Sequence, residues 1–384
     1  MKRLLGLILF PLVLSGCNTA VLEPEISLQI IGEWQCEDVI SGGTVGEING
    51  RMYLFLITHS GGGNSSPSVL RILDLQDSVA PVEVAALPAP IGSTLPVMTL
   101  RLSGTLLYIQ LGGVKENGLW VVDASTPASP REVSFLDMEY PVFDFVLSGK
   151  IAIIQRFPSR MFLLVDITDP ANPRHLGEFD LSREQDFITH SGGTDVSGSL
   201  FYVVDRDGLD IVDISLPSSP REIGFYANPL WTGEEPDVIE DPSQGTSRRV
   251  PISGIEDLVP GGFRDVAVSG EYVCIADVRA GLRVMDVSDP MFPREVAQLG
   301  VPEAAYRITV FDNLLYLLGM EMIDKSFLHA IHIVDISEPE NPVIVDSIED
   351  IRGLPLHQSL IATERYVYFI NVSTLTVIDI YALN

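Results

Sequence analysis

The sequence is poor in the residues on which several classes of protein depend. Only 3 of its 384 residues are cysteine, which excludes a disulfide scaffold and a cysteine-based metal cluster. The 24 lysines and arginines stand against 52 aspartates and glutamates, a formal charge of −28. Because such a charge repels phosphates, the sequence predicts no nucleic-acid partner. Hydrophobic residues still make up 46% of the chain, which is enough for a large core and excludes a disordered acidic protein.

Long apolar runs are also scarce. Residues 4–14 are almost purely apolar, but this run is too short to span a bilayer, and no other segment reaches that length. The run ends in Leu14-Ser15-Gly16-Cys17, which resembles the lipobox of bacterial lipoproteins. The resemblance implies a signal peptide over residues 1–16, a lipid on Cys17 and a tether over residues 17–25. The alternative is an ordinary secretory signal with a chance cysteine.

The lipid on Cys17 is then the expected contact with the membrane. Bacterial lipoproteins carry more than one acyl chain, and two or more chains give stable attachment. We therefore expect the protein in the cell envelope. In enteric-type sorting an aspartate after the cysteine retains a lipoprotein at the inner membrane, so Asn18 favours the outer membrane.

One motif recurs seven times along the rest of the chain. A Leu-x-Val-x-Asp segment leads into a Ser-x-Pro-x-x-Pro-Arg-Glu-Val continuation, most clearly after Gly118, Gly208 and Gly281. We call the last residue of each segment a marker aspartate; the seven are Asp74, Asp123, Asp166, Asp213, Asp286, Asp335 and Asp379. The longest interval separates Asp213 from Asp286, so this repeat carries an insertion at about residues 228–260.

Each repeat contains four short runs of β-branched and aromatic residues bounded by glycine, proline, aspartate and serine, which is typical of a four-stranded meander. Seven such units predict an all-β fold, a seven-bladed β-propeller over residues 26–384. The last repeat stops after its third strand. Residues 31–34 match residues 176–179 of a fourth strand, so we expect the N-terminal strand to close the ring.

The repeats resemble those of the LVIVD-repeat proteins of bacterial and archaeal cell surfaces. The resemblance covers roughly residues 27–380 and implies a β-propeller. It implies no particular reaction, because the family has no general biochemical activity.

Residues that recur in every repeat are expected to be structural. A marker aspartate at the end of a strand can accept hydrogen bonds from the amides of the following turn. The arginines of the Pro-Arg pairs are expected to pair with nearby carboxylates rather than to bind an anionic ligand; they are Arg131, Arg174, Arg221 and Arg294.

Residues that break the repeat are better candidates for a site. The innermost strand of each blade lines the central channel, and alignment of these strands gathers five candidate contacts at the channel mouth: Asp144, Arg264, Asp265, Arg307 and His357. They can hold a small polar ligand or simply a network of water.

The insertion is a second candidate, because long loops on rigid scaffolds often carry binding residues. Its candidate contacts are Trp231, Glu234, Glu235 and Asp237. The carboxylates lack the regular spacing of a dedicated calcium loop, so a solvated acidic loop is favoured. No histidine pair has metal-binding spacing, and we predict neither metal nor cofactor.

These observations favour a non-enzymatic surface lipoprotein whose propeller binds a protein or another envelope or extracellular ligand. One alternative is a hydrolase or lyase that acts on glycans or esters with channel-mouth carboxylates. A second alternative is an assembly factor for envelope complexes.

Overall fold

The fold is an all-β ring of seven antiparallel, four-stranded sheets, which confirms the predicted seven-bladed propeller. The computed structural model describes residues 25–59, 68–77, 80–91, 99–112, 117–156, 160–182, 192–230, 240–241, 246–247, 262–323, 326–353, 358–371 and 373–383. We number the blades from the first complete one. In blades 1 to 6 the strands pair in chain order from the innermost to the outermost, and in blade 7 the N-terminal strand is the outermost.

Blades 1 to 4 contain sixteen consecutive strands. Blade 1 comprises β2 (Val39–Ile48), β3 (Arg51–His59), β4 (Val69–Asp74) and β5 (Val82–Pro88). Blade 2 comprises β6 (Leu100–Ser103), β7 (Leu106–Gly112), β8 (Asn117–Asp123) and β9 (Arg131–Asp137). Blade 3 comprises β10 (Val142–Ser148), β11 (Ile151–Arg156), β12 (Met161–Asp166) and β13 (Arg174–Asp180). Blade 4 comprises β14 (Thr194–Ser197), β15 (Leu200–Val204), β16 (Gly208–Asp213) and β17 (Arg221–Ala227).

The remaining blades follow a short separate pair, β18 (Glu240–Asp241) and β19 (Thr246–Ser247), within the insertion. Blade 5 comprises β20 (Phe263–Ser269), β21 (Tyr272–Asp277), β22 (Gly281–Asp286) and β23 (Arg294–Leu299). Blade 6 comprises β24 (Ala304–Phe311), β25 (Leu314–Ile323), β26 (Ser326–Asp335) and β27 (Val343–Gly353). Blade 7 comprises β28 (Gln358–Ala362), β29 (Tyr366–Asn371), β30 (Thr374–Leu383) and, from the other end of the chain, β1 (Glu25–Gln35).

The core lies between neighbouring blades. Phe55 and Ile72 of blade 1 pack with Ile109 and Trp120 of blade 2, and all four are fully buried. Because a middle strand is covered on both faces by adjacent blades, its residues are apolar without alternation. The outermost strands face solvent on one side and alternate in exposure, as β13 does.

The N-terminal strand closes the ring as predicted. β1 pairs along its whole length with β30, from Glu25 opposite Leu383 to Gln35 opposite Thr374. It carries a one-residue bulge at Ile31. In blade 3 the fourth strand has its bulge at Leu176, the residue that the sequence match aligns with Ile31. The match therefore predicted the register of β1 correctly.

This bulge recurs in the fourth strand of every blade, at Ile31, Val84, Val133, Leu176, Ile223, Val296 and Val345. A bulge increases the local twist of a strand. The final apolar residue of the Pro-Arg-Glu-Val pattern is therefore the residue that bends the outer strand of the blade.

Six marker aspartates act as predicted. Each accepts a hydrogen bond from the backbone N–H two residues later, as Asp123 does from Ser125 and Asp286 from Ser288, at 2.8 and 2.9 Å. These bonds are the first cause of the lowered pKa of Asp123. The hydroxyl of Ser288 is the first cause of the lowered pKa of Asp286, followed by the N–H of Ser288 and by Arg294, and together they bring this pKa to about 2. The remaining four of the six are Asp74, Asp166, Asp213 and Asp335.

The Pro-Arg arginines stand directly opposite the marker aspartates, as Arg294 stands opposite Asp286 with an N–O distance of 2.5 Å. Blades 1, 6 and 7 lack that arginine, and blades 1 and 7 supply another one near the start of their second strand. Arg51 lies 3.3 Å from Asp74. Arg365 makes two 3.0 Å bonds to Asp379. These arginines are thus structural partners of the turns.

Candidate functional site

The seven innermost strands form a closed circle of contacts, in the order β2, β6, β10, β14, β20, β24 and β28, and so enclose a central channel. Strand pairing aligns one position near the start of each, namely Gly42, Thr99, Asp144, Gly193, Asp265, Arg307 and Ser359. We call the end of the ring where the innermost strands begin the mouth face. The opposite end, where the marker aspartates lie, is the hairpin face.

A bulge precedes this position in four blades, at Ser41, Phe143, Arg264 and Tyr306. Because a bulge places two residues opposite one partner residue, it re-aims the neighbouring side chains. The pairs Arg264–Asp265 and Tyr306–Arg307 are placed at the mouth in this way.

Asp144 links three blades. One of its carboxylate oxygens accepts the hydroxyl of Thr99 from blade 2 at 2.5 Å. The other accepts the hydroxyl of Thr194 from blade 4 at 3.2 Å. The carboxylate also accepts the N–H of Phe145 in its own strand. Asp144 is therefore a hub of hydrogen bonds between neighbouring inner strands.

Asp265 has the same role between blades 5 and 6. Its two oxygens accept the N–H groups of Val266 and Ile308, both at 3.1 Å. Arg307 lies 3.8 Å away, which is ion-pair rather than hydrogen-bond distance. Burial raises the pKa of Asp265 to about 6, against the opposing effects of Arg307 and the two N–H groups.

Sequence alignment did not single out Asp195, which extends this pattern. It accepts the N–H of Val268 from blade 5 at 2.8 Å and that of Val196 in its own strand at the same distance. Burial raises its pKa. The alignment marked Gly193 in this blade. The only signal available in the sequence was an acidic residue on an innermost strand.

The positive groups at the mouth come from three successive blades. Arg264 contributes its backbone oxygen to the N–H of Gly193 in blade 4, at 2.8 Å. Burial, followed by the charges of Arg307 and Arg206, lowers the pKa of Arg264 to about 10. Arg206 follows β15 in blade 4 and was not predicted from the sequence. A pKa of about 10 leaves Arg264 positively charged at pH 7.

The structure therefore brings together four of the predicted channel residues, Asp144, Arg264, Asp265 and Arg307. His357 lies outside the described residues, as do Trp231, Glu234, Glu235, Asp237 and Cys17. Within the described ranges, no group of three or more His, Cys, Asp or Glu residues could hold a metal ion. Among those ranges, no helix has the length and apolar character needed to cross a membrane.

Comparison with a family model identifies the repeats. The model described as the LVIVD repeat matches residues 97–137, 191–228, 260–299 and 329–350. The chain carries LVIVD repeats. The first three matched segments each contain a whole blade, namely blades 2, 4 and 5, and the fourth covers part of blade 6. Blades 1, 3 and 7 have the same four-stranded architecture without a match of their own.

Solved structures that resemble this LVIVD-repeat chain share its fold at low sequence identity. A protein from Lactobacillus plantarum is 12% identical with a TM-score of 0.58, and the alignment covers 86% of this chain and 99% of that one. A hypothetical selenium-binding protein from Sulfolobus tokodaii is 11% identical with a TM-score of 0.54, covering 77% and 75%. The computationally designed Ika8 protein is 10% identical with a TM-score of 0.53, covering 91% and 99%. Among curated proteins, no sequence matches.

The LVIVD motif and the candidate site lie at opposite ends of the blades. The motif's aspartate ends the third strand on the hairpin face, whereas Asp144, Asp265 and Arg307 lie at the start of the innermost strands. The repeat consequently specifies the scaffold, and the residues that differ between repeats give the mouth face its chemistry.

Proposed function

We propose that this protein is a lipid-anchored, non-enzymatic scaffold of the cell envelope, which binds a protein or another envelope or extracellular ligand on its mouth face. The proposal is supported mainly by the hydrogen bonds that the channel carboxylates make to neighbouring blades. Asp144, Asp195 and Asp265 accept hydrogen bonds from neighbouring blades. A carboxylate held in this way is poorly suited to act as a nucleophile or general base, since either role would break a contact between blades.

The path of the N-terminal strand supports the choice of face. Glu25 begins β1 opposite Leu383, beyond the marker Asp379, so β1 starts on the hairpin face. A tether from Cys17 to Glu25 spans at most about 30 Å when fully extended. With the lipid on Cys17, the hairpin face is therefore turned towards the membrane and the mouth face away from it.

Site-specific photo-crosslinking in native membranes tests this arrangement. Exposed positions form two matched pairs, Glu139 and Lys150 in blade 3 and Arg279 and Glu271 in blade 5. The first member of each pair lies on the mouth face and the second on the hairpin face. A photoreactive residue at Glu139 or Arg279 should capture a discrete partner, whereas one at Lys150 or Glu271 should not.

Two further measurements bear on the same proposal. Labelling with an alkyne fatty acid should mark the full chain and should be lost in Cys17→Ser. A screen for hydrolase and lyase activity should give no turnover that an Asp144→Asn/Asp265→Asn double variant abolishes. Capture on the hairpin face alone, or turnover sensitive to the double variant, would overturn the scaffold proposal.

A further inference from the structure

Three arginines of the mouth face lie near one another, in a chain whose formal charge is −28. Arg206, Arg264 and Arg307 come from three successive blades and lie close enough for the first and last to lower the pKa of the middle one. Gly262 makes this approach possible. It adopts a positive φ of 132°, and a Cβ there would lie 2.7 Å from the Cα of Arg206.

Asp265 pairs with Arg307 only loosely. The oxygens of Asp265 already accept the N–H groups of Val266 and Ile308. Its 3.8 Å separation from Arg307 leaves the guanidinium donors free to bind other acceptors. The Arg307 side chain is 37% exposed and so is open to solvent.

Arg264 has a constrained backbone. Its backbone is fixed by the bulge in β20 and by the bond from Gly193, while its guanidinium makes no hydrogen bond to any described residue. Like charges held together in a partly desolvated channel are unfavourable unless an anion is bound between them. Guanidinium groups suit carboxylate and phosphate oxygens, which they bind in a two-pronged geometry.

We propose that Arg264 and Arg307, with the added charge of Arg206, form an anion site at the channel mouth that recognises a carboxylate or phosphate group of the ligand. This inference rests on the proposed binding function of the mouth face and adds the chemical class of the group bound there.

Titration calorimetry on the full chain at low ionic strength tests the site. Inorganic phosphate and succinate serve as separate probes, which distinguishes the two acceptor chemistries. Arg264→Gln and Arg307→Gln should each weaken binding of the preferred probe about tenfold or more, since each removes a charge-assisted contact. Arg131→Gln is the matched control, because Arg131 is exposed on the hairpin face opposite Asp123.

Thermal unfolding of each variant without probe checks folding. Arg264→Gln should be at least as stable as the wild type, because it relieves repulsion. Absence of binding of both probes at millimolar concentration, or equal weakening by Arg131→Gln, would overturn the anion site. If crosslinks form at Glu139 or Arg279 while neither probe binds, only this inference fails. If a probe binds while the crosslinks fall on the hairpin face, the scaffold proposal fails and the anion site stands.

Discussion

Asp265 in blade 5 accepts the backbone N–H of Ile308 in blade 6 at 3.1 Å, so a side chain joins two sheets that have no strand pairing with each other. Asp195 repeats the arrangement between blades 4 and 5 through the N–H of Val268. Such bonds supplement the apolar packing between blades. They explain why acidic side chains are tolerated next to the channel.

The first prediction concerns the pH dependence of stability at Asp265. Its pKa in the folded protein is about 6, above its ordinary value of 3.8, so the folded state holds this proton more tightly than the unfolded state. The contribution of this group is therefore favourable at low pH and is lost as the pH rises from about 4 to about 6. The loss is at most about 3 kcal/mol, because one pKa unit corresponds to about 1.4 kcal/mol.

The substitution Asp265→Asn replaces the titratable carboxyl group by an uncharged amide of similar shape. Urea unfolding of wild type and variant at pH 4.5 and pH 7.5 gives the difference at each pH. The stability of the wild type relative to the variant should fall between the two pH values. A difference that is constant, or that grows in favour of the wild type at pH 7.5, would contradict the raised pKa.

The second prediction concerns the packing of a turn of one blade on the outer strand of the preceding blade. A Cβ added at Gly224 in blade 4 would collide with the carbonyl oxygen of Pro290 in blade 5. Because the colliding atom belongs to the backbone, Gly224→Ala should cost about 1–3 kcal/mol. Gly300→Ala is the control, since a Cβ there meets nothing within 4 Å. Equal melting temperatures for the two variants would show that the turn shifts freely.

The architecture could be predicted from the sequence because it is repeated. Because the pattern occurs seven times, the strand assignment in each repeat is supported by the other six. The matched residues Ile31 and Leu176 both form the bulge of a fourth strand. The role of six marker aspartates was predictable for the same reason, since each of the six accepts the N–H of the residue two positions later.

The site was predictable only in part, because its contacts join different blades. Alignment found Asp265 and Arg307, which occupy equivalent positions, but not Arg206, which reaches the mouth from a turn between two strands. Alignment also could not show that Asp265 is bound to Ile308, because no sequence pattern records hydrogen bonds between blades.

The third prediction concerns a buried ionic cluster at the junction of blades 4 and 5. Arg283 donates to Asp277 and to Glu295, both at 2.6 Å, and Tyr226 of blade 4 donates to Glu295 at 2.9 Å. The Asp277 side chain is fully buried, so Asp277→Ala should cost about 3–5 kcal/mol by leaving a buried positive charge half compensated.

Glu295→Gln is the matched comparison for that cluster. Glutamine keeps an oxygen acceptor at a side chain that is 24% exposed, so its cost should be nearer 1 kcal/mol. Chemical denaturation of both variants shows which substitution lowers the free energy of unfolding more. A larger loss for Glu295→Gln would mean that Asp277 is not the main partner of Arg283.

The last prediction concerns closure of the ring. Deletion of residues 26–36 removes β1 and leaves β30 as an exposed edge in a three-stranded blade. It also removes the 2.6 Å bond from the N–H of Leu28 to Asp346, which links β1 to blade 6. We expect the melting temperature to fall by about 10 °C, as a loss of several kcal/mol implies for a chain of this size. Deletion of residues 18–24, which precede β1, should leave it unchanged.

Addition of a synthetic peptide with the sequence of β1, EISLQIIGEWQ, should restore much of the lost stability by pairing with the exposed edge of β30. The same peptide with Gly32 replaced by proline should fail, because proline has no N–H to donate to the sheet. If the truncated chain melts at the temperature of the full chain, β1 does not hold the ring closed, and the seven blades must be stable through their apolar contacts alone.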